Sequence, residues 1–202
     1  MRTARFAGAL AAVSLATASP ASAQLFQLVP KIGAFTPLSD LGEFSGSTRE
    51  LQGSLALGLA AELKLPILPR LRAGFDSATD TKISVAEGVG EPGSGGTTLL
   101  AFTGDIVLRG GGLGPVAPYL LLGGGVKRYN FSEGDFSTIS FGSVTDPDRS
   151  DLAAHIGGGL DFGVAGIGLR IEATDYISRF EAPDGKRTQH DLFAMLGLSV
   201  GF

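Results

Sequence analysis

The stretch His190–Phe202 reads HDLFAMLGLSVGF. Taking every second residue back from Phe202 gives Val200, Leu198, Leu196, Ala194 and Leu192. The residues between are Gly201, Ser199, Gly197, Met195 and Phe193. A period of two places one apolar face opposite one mostly small or polar face, the pattern of a β-strand. The segment is long enough to cross a bilayer, which takes roughly 9–11 tilted residues. Chain ends of soluble domains are usually frayed and polar. A final apolar strand closing on Phe202 is therefore expected to sit in a membrane.

The opposite end of the chain reads as an export signal. Arg2 and Arg5 are followed by the small apolar run Phe6–Ala18, then by Pro20 and the small-residue cleavage pattern Ala21-Ser22-Ala23. The run is too short for a spanning helix, which needs about 20 residues. Residues 1–23 are expected to be a removed signal peptide, leaving 24–202 as one domain. Glycine is abundant (31 residues), but 44% of the chain is apolar, which argues against disorder. The chain has no cysteine, so an exported product has no disulfide framework. A net charge of −4 argues against nucleic acid as a partner. With no later run of 18 uncharged apolar residues, a membrane location requires a closed β-barrel.

Seven earlier segments share the alternation: Leu25–Thr36, Leu51–Leu63, Arg70–Ser77, Thr98–Arg109, Pro118–Phe131, Asp151–Val164 and Ile167–Ile177. Their apolar faces carry Leu55, Leu57 and Leu59, then Leu71 and Phe75, then Phe102 and Ile106, and so on to Leu169 and Ile171. Short connections (Lys64–Pro69, Gly110–Ala117, Ala165–Gly166) alternate with long ones (Pro37–Glu50, Ala78–Thr97, Asn130–Ser150, Ser178–Gln189). Short turns on one side and long loops on the other define an up-and-down antiparallel barrel of eight transmembrane strands.

The segments GGGLDFG (Gly157–Gly163), LRIEATDY (Leu169–Tyr176) and the closing LGLSVGF resemble the eight-stranded bacterial outer-membrane β-barrel family of the OmpA-barrel, OmpX and opacity-protein type. The resemblance implies the outer membrane as location, with membrane lipid and lipopolysaccharide as surroundings. It also implies that Leu196, Leu198, Val200 and Phe202 form the signal read by the barrel-assembly machinery. The family more often has an aromatic where Val200 stands. The absence of Trp leaves the interfacial belt to Phe75, Phe102, Tyr119, Tyr129, Phe162, Tyr176 and Phe202, some of which could point inward.

If the apolar face meets lipid, the other face fills the lumen. Its cations are Lys31, Arg72, Arg109, Lys127 and Arg170, and its anions Glu62, Asp76, Asp105, Asp161 and Glu172. The sets balance, and charges in a narrow dry lumen must pair. The expectation is an ion-pair network that plugs the barrel, centred on Arg170, Glu172, Asp161 and Arg109. The alternative is an ion-selecting pore, although open aqueous channels belong to barrels of about 16 strands. Gly123–Gly125 and Gly157–Gly159 fit no phosphate-loop spacing, and read as lumen space for long side chains.

Catalytic chemistry is weakly signalled. Lipid A deacylases of this architecture place His and Ser two apart on an outward face, and neither His155 nor His190 has that neighbour. A set such as Ser178 or Ser150 with His190 and Asp191 could assemble, but no spacing demands it. No metal or cofactor motif is present. The acidic runs Glu133–Asp135 and Asp146–Arg149 read as solvated loop tips that could hold divalent cations bridging lipopolysaccharide. The leading expectation is a structural or surface-displaying barrel. A lipid-modifying enzyme, a small diffusion pore and a soluble lipocalin-like carrier are the alternatives. The sequence names no partner for the loops.

Overall fold

Alternating side chains put one face of each long strand on the outside and the other on the inside, and the strands close on themselves. The computed structural model describes residues 25–201 except 41, 45–46, 66–67, 82, 87–96, 112–115, 131–147, 165–166 and 183–184. The expected signal peptide 1–23, Gln24, the acidic run 133–135, residues 146 and 147, and Phe202 lie outside the described residues. The strands are β1 (Phe26–Pro37), β2 (Gly42–Phe44), β3 (Ser47–Leu51), β4 (Ser54–Leu63), β5 (Arg70–Thr81), β6 (Ile83–Ala86), β7 (Thr97–Arg109), β8 (Val116–Asn130), β9 (Asp148–Val164), β10 (Ile167–Ala182) and β11 (Gly185–Gly201).

Eight of them form a closed antiparallel barrel in the order β1-β11-β10-β9-β8-β7-β5-β4. The terminal strand β11 seals it by pairing with β1 on one side and β10 on the other. The register fixes the shape. Cα partners lead from Gln27 through Glu62, Arg72, Asp105, Gly123, His155, Tyr176 and Asp191, and return to β1 at Pro37, ten residues further on. That stagger tilts the strands by roughly 40° and leaves an interior just wide enough for side chains.

The outer surface is apolar. Leu57 is 48% exposed, Leu169 and Leu198 are each 50% exposed, and Phe75 meets its cross-strand partner Phe102 at a tilt, with ring centroids 4.9 Å apart. A water-soluble barrel would have the reverse arrangement. Leu196, midway along the part of β11 that pairs with β1 (191–201) and 51% exposed, is bounded by Ala194 and Leu198 on the same face.

Three expectations need correction. First, Tyr119, Tyr129 and Tyr176 do not belong to an outer belt: each is 3% exposed or less and points into the lumen. Strand parity places them there, and each hydroxyl finds a carboxylate. Second, the segment beginning at Leu51 is broken at residues 52–53. Leu51 ends β3, which joins β2 and β6 in a separate three-stranded sheet built from two stretches expected to be loops. Third, Ser178–Gln189 is mostly a hairpin rather than a loop: β10 and β11 stay paired out to Ala182 and Gly185. Once two antiparallel strands are in register, each further pair closes backbone hydrogen bonds without a new loop-closure cost.

Replacing Leu196 with Arg should cost about 2–4 kcal/mol of folding free energy in a bilayer, because the charge sits on the lipid face near mid-membrane. Urea titration of protein folded into liposomes measures it; a loss below about 0.5 kcal/mol, the range of ordinary surface substitutions, would place Leu196 outside the lipid belt.

Candidate functional site

The spiral that sets the register is also the polar lining of the lumen. Gln27, Glu62, Arg72, Asp105, His155, Tyr176 and Asp191 all point inward and are each 8% exposed or less. Around this spiral the interior charges fall into three groups.

Near the end where β1 begins and β11 finishes, Arg170 is held by Asp161, with Nε donating to Oδ1 at 2.7 Å and Nη2 to Oδ2 at 3.0 Å. Nη1 of the same guanidinium donates to Glu62. Arg109 pairs with Asp161, and Arg70 reaches Glu62 Oε2 at 3.4 Å and Gln27 Oε1 at 3.1 Å. Arg170 lies 4.8 Å over the Tyr119 ring, a cation–π contact.

Halfway along, Glu172 is the hub. It accepts from Arg72 Nη2 at 3.0 Å, from Lys31 Nζ at 2.9 Å and from the Tyr119 hydroxyl at 2.8 Å. Lys31 also meets Asp76 Oδ1 at 2.7 Å, and Tyr176 donates to Asp76. Arg72 Nε lies 3.4 Å from Asp105, which accepts from Thr103 and faces His155 Nδ1 at 2.7 Å. In the ring of eight strands β5 and β10 are four places apart, hence diametrically opposite. Arg72 to Glu172 and Asp76 to Tyr176 therefore both bridge the full width of the lumen.

Towards the end that carries the long connections, Lys127 pairs with Asp191, and Tyr129 donates to the same carboxylate at 2.7 Å. Phe35, Phe193, Tyr176, Leu99 and Met195 form one buried apolar cluster with Tyr129. Phe35 and Phe193 sit 5.2 Å apart, and Phe193 meets Tyr176 edge-on at 5.2 Å.

All ten charged residues taken from the sequence lie on the inner face. Nine are buried, and the Arg109 side chain is 21% exposed. They do not share one centre. Arg170, Asp161 and Arg109 group with Glu62, whereas Glu172 groups with Arg72 and Lys31, and Tyr119 touches both groups. Asp76 and Asp105 belong to the middle group and Lys127 to the outer one. The sequence reading missed Arg70, Asp191, the three tyrosines and the apolar cluster. Each follows from the period-two rule applied outward from a neighbour already placed, as Asp191 does from Phe193. Leu196 and Leu198 are on the outer surface of β11, and Val200 pairs with Leu28 and Ile167.

Small residues make room for the network. A Cβ on Gly58 would stand 2.0 Å from Asp76 Oδ1 and 2.9 Å from Lys31 Cε. A Cβ on Gly159 would stand 2.7 Å from the Tyr119 hydroxyl.

The Ser–His–Asp set considered from sequence is not assembled. His190 and Asp191 are neighbours in a strand and so face opposite sides. Asp191 and Ser178 are buried in the lumen, while His190 points outward, its Nδ1 2.7 Å from Asp175 Oδ2. His155 is inside, stacked on Tyr176 at 4.3 Å.

Two solved structures share this arrangement of strands. The crystal structure of Neisserial surface protein A matches with a TM-score of 0.58 at 14% identity, covering 88% of this chain and 97% of that one. The outer membrane protein OprG from Pseudomonas aeruginosa matches with a TM-score of 0.59 at 16% identity, covering 88% and 95%. No protein-family model and no curated protein sequence matches the chain. The chain has the fold of the eight-stranded outer-membrane β-barrels.

Gly58→Val should prevent or severely impair folding, read as loss of the mobility shift between unboiled and boiled samples in gel electrophoresis. Lys127→Met leaves Asp191 buried with Tyr129 as its side-chain donor among the described residues, and should cost about 3–5 kcal/mol in urea unfolding. A loss under about 1 kcal/mol, the usual size of an exposed ion pair, would show that this pair is hydrated.

Proposed function

We propose that the protein is an integral outer-membrane barrel with a structural and surface-displaying role, its lumen closed by the ion-pair network rather than open for transport. The observation that carries this reading is the Glu172 carboxylate, held from three other strands by Arg72, Lys31 and Tyr119. A group fixed by three partners across the lumen leaves little freedom for a passing solute. The buried apolar cluster that includes Met195, the cross-strand partner of Glu172, fills space beside it.

Membrane residence rests on the exposed leucine and isoleucine belt, which would be costly in water, and on an interior of charges, which would be a poor site for an apolar ligand. Both features count against a soluble lipocalin-like carrier. The non-catalytic reading is supported by the histidines: His155 Nδ1 faces Asp105 inside the lumen, and His190 and Asp191 face apart. In this reading Leu196, Leu198, Val200 and Phe202 present the closing strand to the barrel-assembly machinery, and lipopolysaccharide surrounds the outer half of the belt. The long connections and the β2–β3–β6 sheet are what the barrel displays.

Planar-bilayer recordings test the closed lumen. Wild-type protein should give no steady conductance, and the double variant Arg72→Ala/Glu172→Ala should give measurable openings, since it removes a bridge between opposite strands. Steady wild-type conductance that scales with salt would make the protein a pore instead.

A further inference from the structure

The joint that closes the barrel is interrupted. On one side β1 pairs with β4 without a break from Phe26↔Leu63 to Phe35↔Ser54, and Pro30 takes its place in that ladder opposite Leu59. On the other side β1 pairs with β11 at Leu28↔Val200 and resumes at Lys31↔Gly197, skipping Val29 and Pro30. Proline has no N–H to donate. Because the β4 ladder is whole, the missing donor faces β11, and the carbonyl opposite it belongs to Leu198. Proline in a strand paired on both sides is unusual, since it is normally confined to edges, first residues and bulges.

The break lies in the apolar belt. Pro30 is exposed on the outer face, with the exposed Ile32, Leu59 and Leu198 around it. A shallow depression of about 360 Å³ lies over it, lined in part by Pro30, Leu169 and Leu198. A backbone carbonyl without a donor is costly in hydrocarbon. Parting the strands here breaks one ladder bond fewer than elsewhere, and it lets that carbonyl reach a new donor.

Inside the barrel, side chains hold the same point. Lys31 Nζ lies 2.7 Å from Asp76 Oδ1 on β5 and 2.9 Å from Glu172 Oε1 on β10. In the ring β5 and β10 are each two places from β1, on opposite sides, so Lys31 reaches past β11 from within. Val29 and Lys31 also lie over Gly197, where a Cβ would stand 2.8 Å from Val29 Cγ1 and 3.3 Å from Lys31 Cγ.

We propose that the joint between β1 and β11 is a built-in opening point. It parts at Val29–Pro30 while the other ladders stay closed, and the Lys31 ion pairs hold it shut from the lumen. The device gives the closing strand a free edge at one defined place.

Amide hydrogen exchange of the detergent-folded protein, read residue by residue by NMR, tests it. In wild type the Leu198 and Val200 amides, which border the break, should exchange about tenfold faster than those of Ala194 and Leu196 further along the same joint. That factor is the worth of about one hydrogen bond. Pro30→Ala restores the donor, leaves the lumen untouched and should remove the difference. The chain has no cysteine, so Val29→Cys/Ser199→Cys places a single disulfide across the skipped pair, and its oxidised form should remove the difference too. Glu172→Gln weakens the hold on Lys31 and should speed the Leu198 and Val200 amides by a further factor of about five. The gel shift on boiling shows that each variant is folded. Equal rates along the joint in wild type, or a difference that persists in Pro30→Ala as end fraying would, overturns the proposal. No response to Glu172→Gln overturns the part assigned to Lys31.

Discussion

A charge inside a narrow barrel has nowhere to go but to another strand. Water is scarce in an eight-stranded lumen, and an uncompensated ion there costs several kcal/mol. Each interior cation must therefore meet an anion that a different segment of the chain delivers. This requirement links residues as far apart as Lys31 and Glu172, or Glu62 and Arg170. The bonds of β10 to β5, four strands away round the ring, are its most demanding expression.

The same requirement specifies register. Side chains alternate with a period of two, so a slip of one residue in any strand exchanges its faces. Slipping β10 would send Leu169 and Ile171 into the charged lumen and carry Arg170 and Glu172 into lipid. Backbone closure alone tolerates more than one stagger, since each of them lets neighbouring strands pair. The pairing of particular charges does not. Paired buried ions contribute modestly to net stability, yet breaking one pair is expensive, and it is this asymmetry that penalises wrong registers. The glycines serve the same arrangement: Gly58 and Gly159 leave the volume in which Asp76, Lys31 and Tyr119 meet.

How much of this was legible in the sequence depends on which force decides each feature. Strand existence and face assignment were legible because lipid and lumen impose opposite chemistry on alternate residues. Leu57, Leu169 and Leu198 are outside and Arg170 and Glu172 inside for that reason. The tyrosines were not legible from residue type alone, because a phenol suits a membrane interface and a buried carboxylate partner equally well. Parity would have placed Tyr176 inside with Glu172. Partner choice was hidden, since it depends on stagger: that Glu172 meets Arg72 rather than Arg109 follows from a ten-residue offset visible once the ring is closed. The small sheet of β2, β3 and β6 escaped for a related reason. Its short segments carry mixed residues, and only the proximity enforced by the barrel brings Ser47–Leu51 beside Ile83–Ala86.

The most direct test of the claim that cross-lumen ion pairs hold the barrel's register is the coupling free energy between Arg72 and Glu172. It is measured by a double-mutant cycle of Arg72→Met and Glu172→Leu, using urea unfolding from liposomes. Each single change should be strongly destabilising, and the double change should cost about 2 kcal/mol less than their sum. Additivity of the two losses to within about 0.5 kcal/mol would show that the residues act independently. The pairing would then be a consequence of the fold and not one of its causes.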